Sequence, residues 1–247
     1  VNDAGAVHNV LGKEIRMPVR IRQARAFMAS YLVADDAAQR VIDYSGLRVI
    51  RVPGNRALCT LVFVQYIDGD LGPYHEFGVS FSVGHHTATA TGGLADVRAL
   101  ASGKAGVFIH RLPVDGEFTL AAGRGIWGFP KEIADFRVDY EGAHRHGVLH
   151  HNGELVVDLT VRPGFATPAK RGAGTSFDAY SHIDGITRCT QWDMEPAGMH
   201  ARPGGADLVL GDHPWARELA GLGLPKRASM TSTIARLQMT FQDATPV

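Results

Sequence analysis

The chain has 247 residues, 45% hydrophobic and 20% charged, enough to bury a sizeable core, and one domain spanning residues 1–247 is expected. Lys plus Arg and Asp plus Glu each number 25 and are interspersed, so no net field favours a polyanion and nucleic acid is not an expected partner. Cys59 and Cys189 lie far apart and outside any metal-ligand spacing, which fits a reducing, cytoplasmic setting better than a disulfide scaffold.

The stretch from Val1 to Gly12 has neither the basic start nor the apolar run of a signal peptide, and no run approaches the ~18 apolar residues of a membrane span. Helical patterning is sparse and first occurs at Asp35 to Ile42. The run Leu58 to Ile67 is apolar nearly throughout and rich in Val and aromatics, as in a strand covered on both sides. Asp68-Gly69-Asp70 then predicts a turn, with a returning strand from Tyr74 to Val83. A second helix is expected over roughly Leu94 to Ser102. Leu155, Val157, Leu159 and Val161 alternate as one face of a strand, and Phe165 to Ser176 reads as a long loop. After a third helix, His213 to Leu222, the last strand sets Ala235, Leu237, Met239 and Phe241 against Ile234, Arg236, Gln238 and Thr240. Many strands with occasional helices, and no regular βαβα alternation, predict an α+β, mainly antiparallel β fold, not a doubly wound nucleotide fold.

The segment Gly123-Arg124-Gly125-Ile126-Trp127-Gly128-Phe129-Pro130-Lys131-Glu132-Ile133 carries most of the chemical information. It contains a formal G-x-G-x-x-G, but the third glycine of a dinucleotide fingerprint belongs in the first turn of a helix, and Phe129-Pro130 disfavours helical dihedrals there. The glycines read instead as turn glycines beside Trp127. Lys131 is flanked by Trp127, Phe129, Pro130, Ile133 and Phe136. An apolar setting strips the proton from an ammonium, and the neutral amine can then add to a carbonyl. On composition alone, a solvated lysine at a turn is the more ordinary reading.

Ala122-Gly123-Arg124 followed by Phe129-Pro130-Lys131 resembles the A-x-G-R and [YF]-P-K segment of the acetoacetate decarboxylase superfamily, whose lysine after the proline forms a Schiff base. Upstream, Leu71-Gly72-Pro73-Tyr74-His75-Glu76 resembles that family's L-G-x-Y-x-E segment, whose glutamate belongs to the acid/base network. Ser229-Met230-Thr231-Ser232-Thr233-Ile234 is more loosely similar to the serine-rich stretch before the family's last strand. The resemblance implies a cone-like antiparallel β-barrel with flanking sheet and peripheral helices, and a homo-oligomer. It also implies a small carbonyl or oxo-acid substrate and no cofactor. Lys131 and Glu76 are then the expected catalytic residues, and Tyr74, Arg124, Phe129 and Trp127 the expected substrate-binding ones.

Several positions depart from the family pattern. In acetoacetate decarboxylase itself a second lysine follows the Schiff-base lysine, the worked case of a lysine activated by a neighbouring cation or by desolvation. Here Glu132 follows, so activation has to come from burial, and Glu132 is expected to pair elsewhere, for example with an arginine. The family's carboxylate-binding arginine falls near Leu32 and Val33, where this chain has none, and its additional glutamate falls within Leu61 to Gln65, where only Gln65 is polar. Arg20, Arg22 and Arg25 are possible replacements, with Arg124 preferred for its nearness to Lys131. Of the histidines, His85-His86 and His144, His146, His150 and His151 lack a clear third ligand spacing, so no metal site is expected.

These departures favour a Schiff-base lyase of aldolase or dehydratase type over a β-keto acid decarboxylase. Two other readings stay open: an enzyme in which Glu76 works without an imine on Lys131, and a non-catalytic small-molecule binding protein on the same scaffold.

Overall fold

The computed structural model describes residues 5–87, 94–101, 105–167 and 174–247. In chain order the strands are β1 (Val7–Val10), β2 (Lys13–Arg16), β3 (Val19–Ala34), β4 (Arg56–Gly69), β5 (Tyr74–Val83), β6 (Gly106–Arg111), β7 (Asp135–Asp139), β8 (Arg145–His151), β9 (Glu154–Val161), β10 (Phe165–Ala166), β11 (Thr175–Ile183), β12 (Ile186–Arg202), β13 (Ala206–Leu210) and β14 (Met230–Pro246). Four helices lie between them: α1 (Asp35–Ile42), α2 (Leu94–Ala101), α3 (Glu117–Trp127) and α4 (Pro214–Gly221).

Strands β12, β11, β6, β5, β4, β3 and β14 hydrogen-bond in that order, and β14 pairs back onto β12, which closes a seven-stranded barrel. All of these pairings are antiparallel except β6 with β11. A second sheet, ordered β13-β9-β8-β7, flanks the barrel. This is the predicted mainly antiparallel barrel with flanking sheet and peripheral helices.

β4 illustrates why the chain folds this way. Ala57, Cys59, Leu61 and Phe63 face out into a core shared with Leu149, Val157 and Leu159 of the flanking sheet, whereas Val62, Val64 and Tyr66 face the barrel interior. A continuous apolar run is what a strand buried on both faces requires. β5 alternates in the same way, with Phe77, Val79 and Phe81 outward and Tyr74, Glu76, Gly78 and Ser80 toward the interior.

Several sequence expectations shift. The turn after β4 falls later than Asp68-Gly69-Asp70, because the strand continues through Gly69. Of the predicted loop, Phe165–Ala166 pairs with β12, Thr175 opens β11, and residues 168–173 lie outside the described residues, as does Ser102. The last strand does not alternate in one phase: Leu237, Met239 and Phe241 are buried as expected, but so is Ile234, while Ala235 is exposed. Ile234 and Leu237 pair with Ala26 and Ala24, so β14 carries one extra residue there. Such a bulge flips the side-chain phase and bends the strand, as barrel closure demands. β3 is irregular against β4 between Ile21 and Ala24, and its buried positions change parity over the same stretch.

α3 was not anticipated, since its two internal glycines each cost roughly 1 kcal/mol relative to alanine. Its signal is the buried stripe Thr119, Ala122, Gly123, Ile126 and Trp127, spaced three and four apart on one helical face. Gly123 and Gly125 are therefore helical, not turn, residues. Gly128 alone takes a left-handed conformation, φ 65°, as the C-cap. The G-x-G-x-x-G thus lies at the end of a helix, where a phosphate-binding fingerprint would need a beginning.

Candidate active site

The path of the chain after α3 sets the position of Lys131. Gly128 N–H donates to the Arg124 carbonyl and Phe129 N–H to that of Gly123, which closes the last turn. Pro130 ends any helical continuation. The segment then runs beside Val114, with Val114 N–H donating to the Glu132 carbonyl and Ala134 N–H to the Val114 carbonyl, both at 2.9 Å. Val114 also bridges Glu76 of β5. One short extended stretch therefore lies between the lysine segment and β5 and sets Lys131 beside Glu76.

Lys131 is 3% exposed and Glu76 4%. The ammonium Nζ lies 2.9 Å from Glu76 Oε2 and donates to Thr119 Oγ1 at 2.8 Å. It also sits 4.9 Å from the centroid of the Tyr74 ring, within reach of the ring's negative face. The other carboxylate oxygen, Glu76 Oε1, accepts from the Tyr66 hydroxyl at 2.9 Å. Tyr66 and Tyr74 stand opposite each other in the β4–β5 register and stack at 4.2 Å. Burial, reinforced by the nearby Glu76 carboxylate, holds both phenols well above their ordinary range, so Tyr66 keeps its proton and remains a donor.

Space for the lysine comes from Gly123. A Cβ at that position would lie 2.5 Å from Lys131 Cδ and 2.6 Å from Cε. The glycine that weakens α3 thus lets the helix pack against the lysine stem. Around Nζ there is a cavity of about 10 Å³ whose walls include Leu71, Tyr74, Trp127, Phe129, Trp192 and Phe241. Tyr66, Glu76, Leu112 and Trp192 also line a second, larger and mainly apolar cavity of about 160 Å³ in the barrel interior. Trp192, on β12, packs its ring against Phe129, Phe177 and Phe241, and its buried indole N–H has no hydrogen-bond partner among the described residues.

Of the sequence-predicted residues, Lys131, Glu76, Tyr74, Phe129 and Trp127 come together around the small cavity. Arg124 does not: its side chain is exposed and its Nη1 donates to the Lys131 main-chain carbonyl at 3.1 Å. Arg22 is clamped by Asp68 and Asp70, and Arg25 by Gln65 and Glu141, so both are engaged on the barrel exterior. Arg20 is exposed on the same strand. Glu132 points away from Nζ, as adjacent extended residues do; its described partner is His151, at 3.7 Å, instead of an arginine. His75 faces away from Tyr74 and Glu76 and binds Asp115. Tyr66, Thr119 and Trp192 were missed. Tyr66 lies one residue beyond the window searched for a further polar group, and the cross-strand register with Tyr74 is its only sequence-level signal. Thr119 and Trp192 reach the site through the tertiary fold.

Comparison with known proteins gives the family and the fold. A family profile described as acetoacetate decarboxylase (ADC) matches residues 9–245. The chain belongs to the acetoacetate decarboxylase family. A curated member, acetoacetate decarboxylase 3 of Mesorhizobium japonicum, is 33% identical over 95 residues, 38% of this chain and 36% of the relative. Acetoacetate decarboxylase 1 of Bradyrhizobium diazoefficiens is 31% identical over 114 residues, 43% of this chain and 45% of the relative. The matched stretches thus span less than half the length of these curated family members. Among solved structures, the enduracididine biosynthesis enzyme MppR, complexed with the condensation product of pyruvate and imidazole 4-carboxaldehyde, superposes with a TM-score of 0.65 at 16% identity, covering 100% of this chain and 98% of MppR. The acetoacetate decarboxylase of Legionella pneumophila gives 0.65 at 19% identity, over 93% and 87% of the two chains. No helix among the described residues is long and apolar enough to cross a membrane.

Proposed function

We propose that this family member is a Schiff-base-forming lyase of aldolase or dehydratase type, acting through Lys131 on a small ketone or oxo acid. The observation that carries the reading is a buried lysine amine held between Glu76 and Thr119 at a small cavity that shares Tyr66, Glu76, Leu112 and Trp192 with a larger, mainly apolar one. Two charges buried together pay a desolvation cost that a single proton transfer removes. Passing the Lys131 proton to Glu76 across 2.9 Å leaves a neutral amine and a neutral acid, with the carboxyl still bound by Tyr66.

The nitrogen lone pair then adds to the substrate carbonyl carbon, and the carbonyl π pair moves to oxygen, which takes the proton from Glu76. Loss of that oxygen as water, with a second proton supplied by the ammonium centre just formed, gives the iminium ion. The iminium withdraws electrons from the neighbouring carbon, whose proton Glu76 accepts to give an enamine. Attack of the enamine carbon on an aldehyde forms a carbon–carbon bond as the aldehyde oxygen takes the proton back from Glu76; alternatively a β-hydroxyl takes that proton and leaves as water, giving an unsaturated product. Hydrolysis returns the free lysine in either case.

Decarboxylation of a β-keto acid is the second reading, favoured by the names of the curated relatives. It ranks second because Glu132 follows Lys131 where acetoacetate decarboxylase has a second lysine. The MppR complex, whose ligand is a condensation product, supports aldol-type chemistry on this scaffold. The reading is tested by incubating the protein with ketones and 2-oxo acids, with and without aldehydes, beside a Lys131→Ala control. Condensation or dehydration products that require Lys131 are expected. Carbon dioxide release without condensation would make it a decarboxylase, and turnover by the Lys131→Ala protein would remove the lysine from the chemistry.

A further inference from the structure

The larger cavity extends the lysine site in a definite direction. Glu76, Gly78 and Ser80 face it in succession along β5, a run of about 13 Å at roughly 3.4 Å per residue. The walls between are aliphatic, among them Val62, Ile109, Ile234 and Leu237. The far end turns polar, where Ser80 pairs in register with Thr60 and the Thr60 hydroxyl meets that of Ser30 at 2.9 Å. Openness at mid-depth depends on Gly78, since a Cβ there would lie 2.9 Å from Val62 Cγ1. At the near end, shared with the lysine cavity, the Trp192 indole N–H is buried without an acceptor among the described residues. An apolar protein cavity of about 150 Å³ is large enough to hold a benzene ring. At about 160 Å³, this chamber far exceeds what the methyl group of pyruvate or acetoacetate would fill.

We infer that the substrate is a carbonyl compound bearing an unbranched apolar tail or ring of about six carbons: the tail fills this chamber, and the oxygen-bearing end lies between Lys131 and the Trp192 N–H. This rests on the Schiff-base reading of Lys131 for the carbonyl end, but not for the tail. Each buried methylene is worth about a fourfold gain in affinity, so the tail would dominate selection.

The experiment uses alkan-2-ones from acetone to 2-decanone, trapped with borohydride and read by intact mass, for the unaltered protein and for Val62→Phe and Val62→Ala. In the unaltered protein, half-saturation should fall by about fourfold per added carbon up to 2-octanone and then stop falling, as the tail fills the volume of the chamber. Val62→Phe should abolish the gain with length yet still trap acetone, while Val62→Ala should move the optimum to a longer ketone. Trapping that is independent of chain length would overturn the inference and leave the Schiff base standing. Benzene, which has no carbonyl, separates the two ideas further by thermal shift. If no ketone is trapped but benzene raises the melting temperature of the unaltered protein and not that of Val62→Phe, the chamber stands and the Schiff-base reading fails. Absence of any benzene effect would count against the chamber as well. Should Val62→Phe fail to fold, the shift of optimum in Val62→Ala decides the matter.

Discussion

Replacing Gly123 by alanine tests whether lysine placement is set by the helix beneath it. The added Cβ would lie 2.5 Å from Lys131 Cδ, against the 3.5 Å or more at which carbon atoms rest, so the stem must retreat by about 1 Å. The displaced atoms belong to a side chain and not to backbone, so the protein should still fold. A 1 Å retreat draws Nζ away from Thr119 and Glu76, now at 2.8 and 2.9 Å, and weakens a buried ion pair. Overpacking costs about 1–3 kcal/mol, partly offset by the roughly 1 kcal/mol that alanine gains over glycine in a helix. The net loss of up to about 2 kcal/mol corresponds to a melting temperature lower by up to about 8 °C. Misplacement by 1 Å can cost on the order of a hundredfold in rate, and that is the expected fall in the rate of imine formation. Gly125, in the same helix, has nothing within 4 Å of its would-be Cβ, so Gly125→Ala should be stabilising by up to about 1 kcal/mol with trapping unchanged. The assay is the initial rate of borohydride-trapped adduct beside a thermal melt for both variants. Trapping by Gly123→Ala at the unaltered rate would refute the reasoning.

Glu76→Gln leaves the Lys131 ammonium buried without its counter-charge, a loss on the order of 3 kcal/mol by urea denaturation; the double variant Lys131→Met with Glu76→Gln should recover most of that stability and remain inactive. Trp192→Phe removes an N–H that has no partner among the described residues, so stability should hold or rise slightly while KM rises about tenfold and kcat changes less. Outside the site, burial pushes the Glu218 carboxyl up, but hydrogen bonds from His110 and Arg111 outweigh it and hold it down at about 2, below its ordinary 4.5. Because the folded value is depressed, its stabilisation is complete above about pH 4.5 and is lost as pH falls toward 2. Glu218 is partly exposed, so about 1–2 kcal/mol is expected after allowance for solvent screening, and Glu218→Gln should flatten the stability profile over that interval.

The legible parts of the molecule were those whose signal is contiguous in the chain. Tyr74 to Val83 and Asp35 to Ile42 show their strand and helix character locally, and both elements have the predicted bounds. Lys131 and Glu76 sit in short motifs, so their candidacy could be read before anything was known of their 2.9 Å approach. α3 was obscured because Gly123 answers to the lysine stem and not to helix propensity. The phase of β14 was misread at Ala235 because a bulge is imposed by pairing with β3, a partner some 200 residues away in sequence. Thr119 and Trp192 reach the site from α3 and β12, and no local pattern marks either as polar contacts of a shared cavity. Arg124 has the nearness in sequence to Lys131, yet one step along a helix turns a side chain by about 100°, out of the buried stripe that holds Gly123, and its guanidinium reaches the Lys131 main-chain carbonyl and not the amine.

The most direct test of the central claim is borohydride reduction of the protein with 2-octanone, followed by peptide mapping. The account predicts one adduct, with the mass of the ketone less that of water plus two hydrogens, confined to the peptide containing Lys131 and absent from Lys131→Ala. An adduct distributed over surface lysines, or none while the unreduced protein turns the ketone over, would contradict it.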